Sequence, residues 1–214
     1  MPAIKAFNKA LSKKERSIMD KLRSPAAIQS FLDQIKYSAE EIYRSPLRVL
    51  RDGTGHCFDG ALFAAAALRL AGRPPLVLEM LSNGRDDSHL LALYKTGGHW
   101  GAVAKSNCVG LRFREPVYRT LRELVLSYFE QYFNIYGEKT LRGYTMPLDL
   151  KSFDKLNWMT EDGTVDLISD RLDELRRFEI ITKGMCSRLS PVDPRSFKAG
   201  LLGSRKAGLF KPPK

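Results

Sequence analysis

A cysteine at the start of an alanine-rich helix is the feature that most constrains this chain. Cys57 is followed by a segment rich in Ala and Leu that runs to position 71. Ala and Leu are strong helix formers, and Gly72 with Pro74 is a helix stop signal. A thiol on the first turn lies at the positive end of the helix dipole and beside unpaired N–H groups, and both favour the thiolate. The sequence therefore predicts a helix over 57–71 that presents a nucleophilic cysteine.

Length and composition indicate one ordinary globular domain. The chain has 214 residues, of which 43% are hydrophobic, enough for a core. Its apolar runs are shorter than the roughly eighteen residues of a membrane span, and residues 1–30 lack the apolar region of a secretory signal. The three cysteines are an odd number without scaffold spacing, which is typical of a reducing compartment. We therefore expect a cytoplasmic protein without a membrane span.

The net charge of +11 is concentrated at the two ends of the chain. Residues 1–23 carry seven Lys or Arg and two acids, and residues 194–214 carry six and no acid, so residues 24–193 are neutral overall. Such ends can bind nucleic acid, an acidic partner or anionic lipid through non-specific electrostatics, or can simply be solvated. We predict a basic N-terminal extension (1–23), a single domain (24–182) and a basic C-terminal tail (183–214).

The order of predicted elements indicates an α+β fold, with the cysteine helix packed on a small antiparallel sheet. Strands are predicted at 75–81, 88–94 and 99–105, the last two joined by a Gly-Gly hairpin turn. Further helices are predicted at 24–43, 117–133 and 165–178.

A nucleophilic cysteine needs a base, and the chain has three histidines. His56 is adjacent to Cys57, so the two side chains point in different directions. His99 lies beside the hairpin turn. His89 begins the second predicted strand, and a strand laid along the helix start brings its ring within hydrogen-bond reach of the thiol. We therefore predict His89 as the base; the alternative is a structural histidine capped by Asp87.

The order of these segments resembles the transglutaminase-like (papain-like) cysteine superfamily, in a bacterial branch. Residues 51–61 look like its nucleophile motif, residues 68–74 are similar to the end of its first helix, and Asp87-Ser88-His89-Leu90 matches its histidine strand. The resemblance covers residues 45–107. It implies a transglutaminase-like core with added helices and a cysteine hydrolase or acyltransferase that acts on an amide, peptide or isopeptide bond of a protein or peptide substrate.

The third catalytic position departs from the family pattern. The family places an aspartate four residues after a tryptophan on the following strand, whereas Trp100 is followed at that spacing by Ala104. Asn107 can orient an imidazole through its side-chain oxygen, as asparagine does in papain-type sites. The resemblance thus implies a Cys57, His89 and Asn107 site, and the alternatives for the third member are Ser106, Asp86 and Asp87.

Two hypotheses from other functional classes stay open. The absent aspartate and the charged ends favour a catalytically weak or inactive member that binds an acidic partner, and the same ends suit nucleic acid. A metal site built from Cys57, His56, Asp59 and His89 lacks the usual ligand spacings, so we predict neither a metal nor a cofactor. Trp100 and His56 are predicted to contact the substrate.

Overall fold

The computed structural model describes residues 2–40 and 42–212. In chain order its α-helices are α1 (Pro2–Ala10), α2 (Lys13–Lys21), α3 (Pro25–Gln34), α4 (Pro46–Asp52), α5 (Cys57–Leu70), α6 (Leu121–Leu126), α7 (Gly163–Asp173), α8 (Lys183–Cys186) and α9 (Pro194–Gly200). Its strands are β1 (Lys36–Tyr37), β2 (Thr54–Gly55), β3 (Leu76–Ser82), β4 (His89–Thr96), β5 (His99–Val103), β6 (Arg114–Tyr118), β7 (Leu141–Thr145), β8 (Leu148–Asp149) and β9 (Arg177–Glu179). Short 3₁₀ turns occupy Val109–Leu111, Phe129–Gln131, Leu150–Leu156 and Lys206–Gly208.

The main sheet is antiparallel and runs in the order β6-β5-β4-β3-β7-β9. Strand β8 pairs with the first half of β3, and β7 pairs with its second half. Strands β4 and β5 form the predicted hairpin, with Thr96 opposite His99. The predicted α+β arrangement of a cysteine helix on a small antiparallel sheet is confirmed.

Core side chains cover both faces of this sheet. Alternate residues of a strand point to opposite faces, so Leu90 and Ala92 of β4 pack with α5, while Leu91 and Leu93 pack on the far side with residues of α6. Helix α5 is buried along almost its whole length, as expected of a helix that is apolar all round. The strand that His89 begins is therefore central and covered on both sides.

Helix α3 ends earlier than the pattern predicts, at Gln34 instead of near position 43. The ammonium group of Lys105 donates to the carbonyls of Leu32 and Ile35, each at 2.6 Å, and so binds the free carbonyls at the helix end. The next residues turn to extended backbone, and β1 pairs in parallel with β2 just before Cys57. A tertiary contact thus stops a helix that its own sequence would continue.

Two other predicted helices are wrong over part of their length. The segment predicted as one helix over 117–133 contains three elements. Its first two residues are the end of strand β6, the short helix α6 follows after a Thr120 cap, and a 3₁₀ turn comes last. The helix predicted over 165–178 ends at Asp173 as α7, and residues 177–179 form strand β9 on β7 instead. In both places pairing with the sheet edge outweighs local helix periodicity.

Helices α1 and α2, near the start of the chain, contact the core. Ala3 and Phe7 of α1 and Met19 of α2 are buried in the same apolar cluster as α5. In the C-terminal region, Phe197 of α9 packs on Phe133, with ring centroids 5.5 Å apart. The division into an extension, a domain and a tail stays a prediction, although these contacts join both ends to the body of the protein.

Candidate active site

Cys57 is the first residue of α5, and a well-made cap holds it there. The preceding residue, His56, accepts a hydrogen bond at Nδ1 from the Phe58 N–H at 3.1 Å. The carboxylate of Asp59 accepts in return from the His56 N–H at 3.2 Å and is itself buried against the Arg44 guanidinium. This reciprocal capping box starts the helix at Cys57.

The thiol of Cys57 lies against the backbone that enters β4. Its sulfur is 4.0 Å from the carbonyl oxygen of Ser88. The N–H groups of Leu90 and Phe58 act to lower the pKa of the thiol, as the helix-start position predicts. Burial, reinforced by the negative charge of Asp87, outweighs them and raises the pKa from 9.0 to about 12. A helix dipole contributes only ~0.3–1 kcal/mol near a surface terminus, too little to offset that burial, so the resting group is a neutral thiol.

His89 begins β4, and its ring is buried. Its Nε2 is 2.8 Å from the carbonyl oxygen of Leu111. A carbonyl only accepts, so Nε2 carries the proton and Nδ1 holds the lone pair. Burial, assisted by the charge of Arg114, lowers the pKa of this imidazole from 6.5 to about 4, although the bond to Leu111 opposes the change. The ring is therefore neutral at pH 7, with Nδ1 available as a base.

Cys57 and His89 border one cavity of about 70 Å³, which we call the inner cavity. Beside it lies a larger space of about 450 Å³, the outer groove, which Cys57 also lines. Residues shared by both spaces are Tyr37, Cys57, Asp87, Ser88, Gly208, Leu209 and Phe210. Cys57 thus lies where the two spaces meet, and a piece of the C-terminal region separates them.

The candidates for the third member all line the inner cavity, but each makes other bonds. Both ends of the Asn107 amide bind the backbone of Arg205, with Oδ1 2.8 Å from its nitrogen and Nδ2 2.9 Å from its oxygen. Ser106 Oγ accepts from the Cys108 N–H, and Asp86 accepts from the Thr140 hydroxyl.

The partner of the imidazole is instead the Leu111 carbonyl, which sequence reasoning missed. A backbone oxygen is the same in every residue type, so no sequence signal could have identified it. Asp87 acts on the site through its charge, and its backbone carbonyl accepts from the Tyr132 hydroxyl at 2.6 Å.

The two predicted substrate contacts lie in different places. His56 lines the outer groove, with its ring edge against Tyr43 at a centroid distance of 5.6 Å. Trp100 lies near the hairpin end of β5, where the Lys95 ammonium stands 4.4 Å from its ring centroid. It lines neither the inner cavity nor the outer groove.

Two further residues of the cleft carried no sequence motif. Tyr37 lines both spaces, and burial, reinforced by the negative charge of Asp87, raises the pKa of its hydroxyl. Glu79 lines the outer groove, where burial, reinforced by Asp173, raises its pKa from 4.5 to about 7. Aside from the histidines, the charged side chains that line the two spaces are all acidic: Glu40, Glu79, Asp86 and Asp87.

Within residues 2–40 and 42–212, no group of three or more His, Cys, Asp or Glu side chains is placed to hold a metal ion. Over the same residues, no helix has both the length and the apolar character needed to cross a membrane.

Comparison with known proteins gives a weak structural likeness. No protein-family model matches the chain, and no curated protein does. A solved structure of Legionella pneumophila LapG is similar at 16% identity with a TM-score of 0.36, over 50% of this chain and 71% of that one. The EGTA-treated form of LapG is similar at 16% identity with a TM-score of 0.41, over 80% of this chain and 98% of that one. Because both TM-scores are below 0.5, function has to be argued from the site itself.

Proposed function

We propose that this protein is a cysteine hydrolase or acyltransferase that acts on an amide, peptide or isopeptide bond, with Cys57 as nucleophile and His89 as base. The observation that carries the proposal is the shared cavity of Cys57 and His89, with the imidazole Nε2 bound to the Leu111 carbonyl. That bond fixes the tautomer, so that Nδ1 is the atom free to accept a proton.

The resting pair is uncharged, because burial raises the pKa of the thiol to about 12 and lowers that of the imidazole to about 4. The thiol proton therefore passes to Nδ1 of His89 as the sulfur attacks the substrate carbonyl. The Leu111 carbonyl stabilises the imidazolium that forms, and the imidazolium then protonates the departing amine. Water, or a second amine, attacks the thioester and regenerates the thiol.

The developing oxyanion has a place near the start of α5. The N–H of Cys57 belongs to the first helical residue, so it has no acceptor within the helix. The Tyr37 hydroxyl lies close enough for this N–H to lower its pKa, against the stronger effect of burial. We propose that the Cys57 N–H and the Tyr37 hydroxyl both donate to the oxyanion. Asn107 as the orienting residue remains a prediction: its side-chain oxygen would have to replace the Leu111 carbonyl at Nε2, and an Asn107→Ala variant with wild-type kcat would count against it.

Cleavage of a fluorogenic peptide library tests the proposal. We expect Cys57→Ala to lose all turnover above background, because this substitution removes the proposed nucleophile. We expect His89→Ala to lower kcat by about 10²–10⁴-fold, the usual contribution of a general base. Cys186→Ser, on α8 and outside both spaces, is the matched control and should keep wild-type turnover. Turnover retained by Cys57→Ala would rule out this site.

A second candidate is a catalytically silent protein that binds an acidic partner or nucleic acid through its basic ends. The observation that favours it is the raised pKa of the Cys57 thiol, which keeps the group neutral. It predicts that wild type and Cys57→Ala bind acidic peptides or nucleic acid equally, with an affinity that falls steeply as salt rises. Salt-independent binding, or none, would count against it.

A further inference from the structure

Residues 205–210, which we call the cleft segment, lie across the candidate active site. Asn107 binds the backbone of Arg205 at both its nitrogen and its oxygen. The Arg205 guanidinium donates to the Tyr37 carbonyl oxygen at 2.6 Å. The segment is thus bound to both walls of the cleft, to the end of β1 on one side and to the residues that follow β5 on the other.

Gly208 lies close against the walls of the cleft. A Cβ added there would lie 2.8 and 2.9 Å from two carbon atoms of the Tyr37 ring and 3.3 Å from Asn107 Nδ2. The backbone at Gly208 does not have a positive φ, so any L-residue could adopt its conformation. Glycine is needed here for space, because the segment passes between Tyr37 and Asn107 as a bare backbone.

The following residues separate the two spaces that meet at Cys57. Gly208, Leu209 and Phe210 line both the inner cavity and the outer groove. Charge also matches, because residues 204–212 carry Arg205, Lys206 and Lys211 and no acid, while the cleft is lined by acidic groups. The segment has the properties of a peptide that occupies a peptide-binding cleft.

We propose that the cleft segment occupies in cis the place of the substrate and masks Cys57, and that the cleft binds basic, extended peptides with a glycine between Tyr37 and Asn107. The substrate class rests on the proposed function; the masking of Cys57 does not. The glycine subsite is narrow because an aromatic ring and a bound amide face each other across it. A side chain at that position of a substrate meets the same two groups that a Cβ on Gly208 would meet.

The test is the rate at which iodoacetamide alkylates Cys57 in the full-length protein. Labelled protein is digested and the modified peptides are identified by mass spectrometry, because Cys108 lines the same cavity and must be counted separately. We expect Gly208→Val to raise the labelling rate of Cys57 by about tenfold or more, since the displaced segment stays open for a larger fraction of time. Gly184→Ala is the matched control, because a Cβ there meets nothing within 4 Å, and its rate should equal that of wild type.

A second variant and an added peptide keep the result decisive. Leu209→Asp places a carboxylate among the acidic groups of the cleft and should raise the labelling rate in the same way, without steric strain at Gly208. A synthetic peptide of residues 201–211 should return the rate of either variant towards wild type. The same peptide with Val in place of Gly208 should protect about tenfold less well or worse.

The outcomes distinguish the two proposals. Wild-type labelling rates in both variants, with the near-UV signal of buried Trp158 intact, would overturn the masking of Cys57. Equal protection by the Gly and Val peptides would overturn the glycine subsite. If Gly208→Val or Leu209→Asp is labelled faster at Cys57 but cleaves no library peptide, the masking of Cys57 is supported and the proposed enzymatic function is not.

Discussion

At the scale of single residues, the main finding is that burial sets the charge of the reactive pair. Cys57 and His89 are each shifted towards their neutral forms, and in both cases desolvation is the largest cause. The N–H groups of Leu90 and Phe58 near the sulfur, and the bond from His89 to Leu111, shift these pKa values in the opposite direction. At rest both groups are therefore uncharged.

The buried imidazole gives a pH dependence with a defined sign. The pKa of His89 is about 4 in the folded state against 6.5 in the unfolded state, so between these values the unfolded state binds more protons. Its contribution to stability is complete above pH 6.5 and is lost as the pH falls towards 4, by up to about 3 kcal/mol.

Urea unfolding of wild type and His89→Gln from pH 4 to pH 7 measures this contribution. The free energy of unfolding of wild type minus that of His89→Gln should increase as the pH rises. Taking the difference removes the opposite effect of Glu79, whose raised pKa favours the folded state at lower pH. A pH-independent difference would show that His89 is exposed and titrates normally.

At the scale of elements, the close approach of α5 to the chain after β5 positions the site. A Cβ added to Gly60, on the first turns of α5, would lie 2.2 Å from the Cβ of Lys105. The absence of a side chain at Gly60 lets the residues after β5 cross the helix start. That crossing brings Ser106 and Asn107 into the same cavity as Cys57.

We therefore expect Gly60→Ala to destabilise the protein. Alanine is the better helix former by ~1 kcal/mol, but the overlap with Lys105 should cost about 1–3 kcal/mol, as overpacking usually does. The matched control is Gly163→Ala at the start of α7, where a Cβ meets nothing within 4 Å. Chemical denaturation should show a lower midpoint for Gly60→Ala than for wild type, and an unlowered midpoint for Gly163→Ala. A raised midpoint for Gly60→Ala would contradict the close packing of Gly60 on Lys105.

At the scale of the whole molecule, both ends of the chain contribute to the structure around the site. Residues of α1 and α2 join the core on the α5 side of the sheet, although this region carries much of the net charge. The C-terminal region crosses the cleft after α9. The basic ends are therefore amphipathic: their apolar faces pack on the protein while their Lys and Arg remain on the surface.

Replacing a buried aromatic residue of α1 tests this packing. Phe7 is fully buried, so we expect Phe7→Ala to lower the free energy of unfolding by about 3–5 kcal/mol. Tyr136→Ala removes an aromatic ring that is 63% exposed and should have little effect. If Phe7→Ala is as stable as wild type, the first 23 residues are the separate extension that their charge predicts.

Local patterns in the sequence were sufficient for α5, for strands β3 to β5 and for the hairpin between β4 and β5. Alanine-rich composition, a Gly-x-Pro stop and period-two apolar runs act within a few residues, so they can be interpreted without knowing what packs on them. The same reasoning placed Cys57 at a helix start and His89 at the start of a strand, and both are found there.

Only the tertiary structure decided where α3 and α7 end, which partner His89 takes and which segment lies beside Cys57. These features depend on contacts between distant residues: Leu111 lies 22 positions from His89, and Arg205 lies 98 positions from Asn107. Desolvation likewise depends on everything that surrounds a group, so the neutral states of Cys57 and His89 follow from the packed core and cannot be deduced from their neighbours in the chain. The sequence by itself determined which residues could be reactive, and the fold determined their protonation and their surroundings.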